Sequence, residues 1–418
     1  MGKGWCYAGL EWKAVEDFRS SNYRWLILAI LWLAHVIQFF NFSSLGVFAP
    51  FFKKDMNLSS AQIGFFVSAV SIGSCLSTVP GGLITDLMGI RVILPLSIGL
   101  MGFFWILFSF SSSYAGALLI LLIYGLAAGV ISPAASKGVR SWFPVIGRAT
   151  AMGVKQTGVN LGGILAGVLL PSLALNFSWR KSLLMSGISE VVCAALIYQP
   201  VKEPSVKTPE DLPFLNWKKV LTIVLNRNIL ILGGTSFLFF ACQFCFSTYL
   251  TLFLIQELQY SIVQAGLYFA LAYFTGAAGR ILWSIVSDYF LRGRRKGILL
   301  LTTWMELLSL LILFLSSFFP AISKFLLVAV LAFGLGGIGS SAIFLTILAE
   351  STGKESTGIA TATGFFFGYI GSLLCTPLFG YVIDITGVYG YGWLFLTFCA
   401  AASILLLSRF QESVKRTN

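Results

Sequence analysis

Long apolar stretches separated by short polar segments recur along nearly the whole chain. A helix of about 20 residues crosses a bilayer. Because backbone groups in lipid must pair within their own segment, an apolar stretch of that length predicts a spanning helix. Twelve stretches qualify: 25–48, 62–84, 92–111, 115–136, 149–173, 182–199, 229–254, 262–287, 297–318, 322–348, 357–382 and 391–409. The pattern therefore predicts an all-α membrane protein with twelve transmembrane helices.

The longest polar segment divides these helices into two sets of six. Residues 200–228 combine prolines with charged residues, a composition typical of a linker. The predicted organisation is a leader, an N-terminal six-helix bundle, a linker, a C-terminal six-helix bundle and a tail, over residues 1–24, 25–199, 200–228, 229–409 and 410–418.

Composition excludes several classes of soluble protein. Of the 418 residues, 57% are hydrophobic and 11% are charged, whereas a soluble domain carries about 25% charged residues. A soluble enzyme, a disordered chain and a disulfide-stapled secreted domain are therefore excluded. The net charge of +12 does not require nucleic acid as a partner, because the cytoplasmic loops of membrane proteins are rich in Lys and Arg.

The distribution of Lys and Arg predicts which side faces the cytoplasm. Of the 28 basic residues, 21 fall on the ends and loops that share a side with the N-terminus, five fall on the opposite loops, and Lys155 and Arg280 lie within spans. Cytoplasmic loops hold the excess of positive charge, so both termini are predicted to be cytoplasmic. The protein is expected in the cell (inner) membrane, as a monomer surrounded by lipid.

The two halves share a motif at the end of their second helix. The first copy has the pattern Gly82-x-x-x-Asp86-x-x-Gly89-x-Arg91, and Asp288, with arginines after it, stands 202 positions beyond Asp86. The pattern resembles the signature loop of the major facilitator superfamily. That resemblance implies two pseudo-symmetric six-helix bundles and a transporter, not an enzyme, that alternates access by rocking one half against the other.

In that family the signature loop holds helix ends together on the cytoplasmic side. The resemblance implies a cytoplasmic gate in which carboxylates at helix ends meet basic turns. Its predicted members are Asp86, Arg91, Arg140, Asp288, Arg292 and Glu350. The alternative is that these charges only set the topology.

Arg280 lies deep in the eighth predicted span. A charge at that depth is costly unless it faces a cavity or a partner, and the guanidinium fork matches a carboxylate with two parallel hydrogen bonds. The segment from Gly279 to Asp288 resembles the eighth helix of monocarboxylate, oxalate/formate and related organic-anion porters. There, an arginine eight residues before the loop aspartate binds the substrate carboxylate. A structural ion pair is the alternative.

The number of central cations bears on the charge of the substrate. A single cation favours a monoanion over a dianion, unless Lys155 supplies a second charge. Lys155 lies about two turns into the fifth span, from where its side chain can also reach the headgroups. Both positions of this side chain remain open from the sequence.

Further polar and aromatic residues within spans are candidates for lining a central pocket. Each of them can instead satisfy a neighbouring helix. The predicted substrate-binding set that accompanies Arg280 is Gln38, Asn41, Tyr124, Lys155, Asn160, Gln243, Tyr273 and Tyr369.

Three buried titratable residues are candidates for proton coupling. His35 is the only histidine and lies midway along the first span, and an unperturbed imidazole titrates near neutral pH. Glu306 and Glu190 are acids within the ninth and sixth spans. Arg280 itself offers another route, if the substrate carboxylate arrives with its proton. Animal monocarboxylate porters carry an acid one turn before the arginine, and here that position is Gly276.

The predicted function is secondary active transport of a small organic anion, specifically a monocarboxylate, with proton symport. The sequence has no nucleotide-binding loop and no spacing typical of a metal site, so neither a cofactor nor a metal is expected. An exchanger or exporter of another small solute or drug is the alternative within transport. A non-transporting membrane sensor is the alternative from a different class.

Overall fold

The computed structural model describes residues 23–144, 147–201, 217–291, 294–351 and 357–412. Within these ranges the chain is helical and has no strand. Twelve helices there are long and apolar enough to cross a membrane, which confirms the predicted fold class. We number these helices α1 to α12: Tyr23–Val47, Ser60–Met88, Ile90–Ser109, Tyr114–Trp142, Arg148–Phe177, Trp179–Tyr198, Arg227–Gln256, Ile262–Phe290, Lys296–Phe318, Pro320–Glu350, Thr357–Thr386 and Tyr389–Arg409.

Two short helices lie between the spans, Ala49–Asp55 and Trp217–Val224. The second lies within the segment predicted as a linker. Large apolar side chains such as Leu196 and Phe398 stay exposed, at 70% and 66%, because lipid rather than water surrounds the spans.

Helix starts repeat between the halves as the signature loop does. Ser59 and Gln62 form a capping box at the start of α2, and Ser261 and Gln264 form another at the start of α8. In each pair, the serine side chain accepts from the backbone amide of the glutamine, and the glutamine side chain accepts from the backbone amide of the serine. Both residues of the box recur 202 positions later, the same offset that separates Asp86 from Asp288.

Helix α10 is not regular along its length. A π-helical turn at Gly334–Ile338 interrupts it, and the Leu335 carbonyl oxygen accepts a hydrogen bond from Trp283 Nε1 at 2.8 Å. A methyl group on Gly279 would lie 2.6 Å from the same oxygen. The glycine face of α8 therefore packs closely on α10.

The N half (α1–α6) and the C half (α7–α12) meet mainly along α2 with α11 and α5 with α8. The spans alternate in direction, so the loops after α2, α4, α6, α8 and α10 lie on the face that carries Tyr23 and Arg409, which we call the terminal face. On the opposite face Thr251 Oγ1 donates to the Gly46 carbonyl oxygen, and Ser71 Oγ and Ser372 Oγ lie 3.0 Å apart toward the middle.

The last described hydrogen bond between the halves toward the terminal face joins Arg280 to Gln156. Beyond it, the ion pairs of the described ranges stay within one half. The opposite face is therefore closed by contacts between the halves, and the described hydrogen bonds between the halves are concentrated there and in the middle of the interface.

Candidate functional site

Three basic side chains from three helices meet near the middle of the interface. Arg280 on α8 donates from Nη1 to the Gln156 carbonyl oxygen of α5 at 3.0 Å. Lys155, the neighbour of Gln156 on α5, donates from Nζ to Ser136 Oγ at 3.1 Å. His35 on α1 lies within the electrostatic range of both cations.

Close helix packing brings His35 and α5 together. A methyl group on Gly158 would lie 2.6 Å from the Trp32 carbonyl oxygen and 3.1 Å from His35 Cβ. Only a residue without a side chain permits this approach. The side chain of Arg280 extends from α8 to α5, where it reaches the Gln156 carbonyl oxygen. We call Arg280, Lys155 and His35 the cation cluster.

The cation cluster has no acidic partner within the described ranges. Ion pairs there join Lys137 to Asp86 and Arg295 to both Asp288 and Glu350, but none involves Arg280 or Lys155. Lys155 is 2% exposed, so its ammonium does not reach the headgroups. An unpaired charge in such a place costs several kcal/mol, which an anionic ligand would offset.

The partner of His35 identifies which ring nitrogen carries the proton. Nδ1 lies 2.8 Å from the Leu31 carbonyl oxygen, and because a carbonyl only accepts, Nδ1 is the donor. Nε2 is buried and has no hydrogen-bond partner among the described residues. A neutral His35 therefore presents Nε2 as a free acceptor.

One turn further along α1 lies a small cavity between the halves, which we call the hydroxyl cavity. It brings together three residues of the predicted substrate-binding set, Gln38, Tyr124 and Tyr369. Gln38 Nε2 donates to the Ala128 carbonyl oxygen at 3.0 Å, which fixes the amide against α4. Its other lining residues are Phe39, Phe42, Val70, Ser71, Ser74, Ala128 and Phe244.

Sequence reasoning missed the two serines of this cavity. Ser68, Ser71 and Ser74 recur every third residue on α2, a spacing that places them along one side of a helix. This polar stripe in an apolar span was the available signal. The stripe follows the contact between α2 and α11, where Ser68 Oγ donates to the Leu373 carbonyl oxygen at 2.7 Å.

Two more residues of the predicted substrate-binding set, Asn160 and Tyr273, join the two halves. Asn160 Nδ2 donates to the Tyr273 carbonyl oxygen at 3.1 Å, from α5 to α8. The Tyr273 hydroxyl lies 2.9 Å from Ser247 Oγ. Both Asn160 and Tyr273 are buried, and a methyl group on Gly163 would touch the Tyr273 ring. Gln243 lies half-buried on α7.

The predicted acids lie inside their own halves rather than in the cation cluster. Glu190 is fully buried between α1, α3 and α4, beside Asn41 and Tyr124. Glu306 is buried beside Cys242 in the C half. Neither carboxyl has a basic partner within the part of the chain that the structure describes.

The predicted gate residues form two local networks at the terminal face. Asp86 pairs with Lys137 at 3.5 Å and not with Arg140, which is exposed. Arg91 lies over the Tyr198 ring at 5.8 Å. Lys137 was not predicted, although it lies one turn before Arg140 on α4.

In the C half, Arg295 binds Glu350 at 2.6 Å and Asp288 at 3.6 Å. Arg292, predicted as a member of the gate beside Asp288, lies outside the described residues. Arg295, which sequence reasoning did not select, thus joins the ends of α8 and α10.

Comparisons with known proteins agree with this architecture. The sequence model described as Major Facilitator Superfamily matches residues 31–302. A hexuronate transporter of Bacillus subtilis (strain 168) is 27% identical, with 93% of this chain and 94% of the relative covered. A probable galactarate/D-glucarate transporter, GudP, of the same organism is 24% identical, with 95% and 94% covered.

Among solved structures, a variant of the nucleoside transporter NupG superposes with a TM-score of 0.78 at 11% identity, over 92% of this chain and 100% of that chain. The likeness to this structure concerns the fold alone. The match to the family covers well over half of the chain. The protein is therefore a multi-pass membrane transporter, not an enzyme, and belongs to the major facilitator superfamily.

Proposed function

We propose that the protein is a secondary transporter of a sugar-acid monoanion of the hexuronate class, and that it couples transport to protons. The observation that carries this proposal is the cation cluster, in which the buried ammonium of Lys155 and the half-buried guanidinium of Arg280 have no acidic partner among the described residues. The cluster lies beside a cavity lined by aromatic rings and by hydroxyl and amide groups. The hexuronate and glucarate relatives support an organic acid as the substrate class.

The substrate carboxylate binds at Arg280. One guanidinium nitrogen holds the Gln156 carbonyl oxygen, whereas Nε is buried without a partner. The remaining donors form a charge-assisted contact with a carboxylate. Lys155, adjacent to Gln156, adds a second positive charge at the same end of the site.

The neutral part of the substrate occupies the hydroxyl cavity. Gln38, Ser71 and Tyr124 offer donors and acceptors to sugar hydroxyls, and Phe39, Phe42 and Phe244 offer apolar faces to the ring. None of the described residues that line this cavity is a cation or an acid. A molecule with its charge at one end fits this arrangement better than an aldarate, which carries a carboxylate at each end.

Proton coupling follows from the position of His35. A proton on Nε2 adds a third positive charge to the cation cluster, and an arriving carboxylate offsets that charge. Anion binding and proton binding therefore favour each other, and this mutual effect is reciprocal by linkage. Glu190 and Glu306 remain the alternative proton carriers.

During the transport cycle the two faces of the interface open and close in turn. The excess of Lys and Arg on the terminal face supports its assignment to the cytoplasm, with the protein in the cell membrane. The closed opposite face then corresponds to a state open to the cytoplasm. The networks of Asp86 with Lys137 and of Arg295 with Asp288 and Glu350 are proposed to rearrange into the cytoplasmic gate when this face closes.

A panel of ligands tests the proposed substrate class. At about a hundred times its dissociation constant, a ligand stabilises the fold by roughly 2.7 kcal/mol, so the melting temperature of the purified protein should rise with glucuronate or galacturonate. A neutral hexose should give no shift, and glucarate should give a smaller one. A larger shift with glucarate would contradict a monoanion, and a shift with hexose alone would contradict the role of Arg280.

Replacing His35 by glutamine tests the proton pathway. The variant should retain exchange of substrate across the membrane but lose the pH dependence of net uptake, because glutamine keeps a polar group and binds no proton. Uptake by proteoliposomes between pH 5.5 and 8 measures this. Glu190→Gln serves as the matched control and should keep the pH profile of the unmodified protein. If net uptake by His35→Gln keeps its pH dependence, His35 is not the proton carrier.

A further inference from the structure

The first turn of α2 has backbone donors that its own cap does not satisfy. Ser59 Oγ accepts from the Gln62 amide at 3.2 Å, and Gln62 Oε1 accepts from the Ser59 amide at 2.8 Å. The amides of Ser60 and Ala61 lie between these two and need other acceptors, since a helix start leaves its first amides without intrahelical partners.

A carboxylate from the other half of the protein supplies both acceptors. Asp384, near the end of α11, accepts from the Ser60 amide through Oδ1 at 2.7 Å and from the Ala61 amide through Oδ2 at 2.8 Å. A negative charge at a helix N-terminus is favourable because it meets the positive end of the helix dipole. The cap of α2 is therefore completed across the interface between the halves.

This contact is not a consequence of the repeated capping box. The box of α8 has the same two residues, Ser261 and Gln264. There, within the described ranges, the amides of Ile262 and Val263 receive no side-chain acceptor. The carboxylate of Asp384 is thus an addition that one half makes to the other.

Other groups around Ser60 join the same contact. Lys53 Nζ donates to Ser60 Oγ at 2.8 Å and to Gln256 Oε1, across the interface, at 3.2 Å. The Tyr249 hydroxyl of α7 donates to the Ser60 carbonyl oxygen at 2.9 Å. Burial lowers the pKa of Lys53, and the carboxylate of Asp384 acts in the opposite direction, which places the two charges in electrostatic contact.

The two ends of α2 differ in the same structure. At the terminal face Asp86 pairs with Lys137 of its own half, whereas at the opposite face the start of α2 is bound by Asp384 of the other half. Among the described contacts, a carboxylate of the C half thus holds α2 at its start, where the halves are closed.

We propose that Asp384 is a latch that holds the opposite face closed by capping α2 across the interface, and that it must release before this face can open. The latch stabilises one conformation over the other without touching substrate. It goes beyond the proposed function, because it depends on the rocking of the two halves and not on what the protein carries.

Distances between spin labels on the opposite face test the latch in the ligand-free protein. Labels on Ser112→Cys and Lys324→Cys, one in each half and without other cysteines, report the opening of this face. Asp384→Ala should increase the population of the longer distance at least tenfold, because one charge-assisted hydrogen bond is already worth about a factor of ten in an equilibrium and this change removes two. Asp384→Asn, which retains one acceptor, should give a smaller increase.

A second variant separates the latch from a general loss of stability. Ala61→Pro removes one of the two amides and is tolerated in the first turn of a helix. It should open the face as well, and in combination with Asp384→Ala it should add little, because both changes break the same contact. Asp55→Ala is the matched control, since Asp55 Oδ2 accepts from Trp179 Nε1 at 2.6 Å within the N half. It should leave the distances unchanged.

An unchanged distance distribution in folded Asp384→Ala would overturn the latch, and so would equal opening in Asp55→Ala. If Ala61→Pro does not fold, the variants at position 384 still test the latch: the population of the longer distance should rise from aspartate to asparagine to alanine. A wrong substrate class leaves this experiment unaffected, because no ligand is present.

Discussion

Replacing Arg280 by alanine is expected to abolish transport of the organic anion while leaving the protein folded. Truncating one partner of a buried charge pair costs about 2–5 kcal/mol, so kcat/KM for uptake should fall by about 30-fold to several thousand-fold. The ligand-free protein should melt at a similar temperature, because the variant loses the hydrogen bond to Gln156 but relieves a charge that has no acidic partner in the described part of the chain. Uptake by proteoliposomes and the melting temperature measure the two effects.

Two variants control this result. Arg280→Lys keeps the charge but loses the planar fork, so its uptake should lie between those of the native protein and the alanine variant. Arg227→Ala removes an exposed arginine at the start of α7 and should transport normally. Normal uptake by well-folded Arg280→Ala would end the role of this residue as the carboxylate anchor.

Replacing Lys155 by glutamine is expected to weaken substrate binding by about tenfold. Glutamine preserves a polar group near Ser136 but removes the second positive charge of the cation cluster. A loss of about 1.4 kcal/mol corresponds to a tenfold change in affinity, which is reasonable for a charge that assists Arg280. The dissociation constant of glucuronate, measured by calorimetry, reports the change.

Ser136→Ala is the matched control for Lys155. It deletes the hydrogen bond at 3.1 Å and leaves the ammonium charge in place, so affinity should fall less than in Lys155→Gln. Equal losses in the two variants would mean that Lys155 acts by fixing α5 to α4 rather than through its charge.

The fold follows from hydropathy because a bilayer leaves few alternatives. Length and apolarity predicted twelve spans, and the structure has twelve spanning helices in the described ranges. The π turn of α10 at Gly334–Ile338 was not predicted. Glycines within an apolar span are compatible both with a regular helix that packs closely on a neighbour and with a π turn. The hydrogen bond from Trp283 to the Leu335 carbonyl oxygen, which accompanies the π turn, is seen only in the structure.

The candidate site could be predicted only in part. Arg280 stands out because a charge at its depth requires an explanation. The location of Lys155 could not be derived, since a side chain two turns into a helix reaches either headgroups or a neighbouring helix. Asn160 and Gln38 are alike in sequence, as polar residues in apolar spans. One bonds α8 and the other lines the hydroxyl cavity.

Contacts that are remote in sequence were beyond prediction. Asp384 binds amides more than 320 positions earlier in the chain, and nothing near it in sequence marks a partner. Lys137 lies near the end of α4 and Arg295 just before α9, and near each of them other basic residues compete for the same aspartate. The choice among them depends on how the helix ends are placed.

Counterflow of labelled glucuronate tests the central claim most directly. Proteoliposomes loaded with unlabelled glucuronate should accumulate the labelled compound transiently, and this accumulation should vanish in Arg280→Ala and persist in Arg227→Ala. That result requires a carrier that binds the anion through Arg280 and exposes it alternately to both sides. Absence of counterflow in folded protein that binds glucuronate would contradict transport and favour a sensor, and counterflow retained in Arg280→Ala would contradict the binding site.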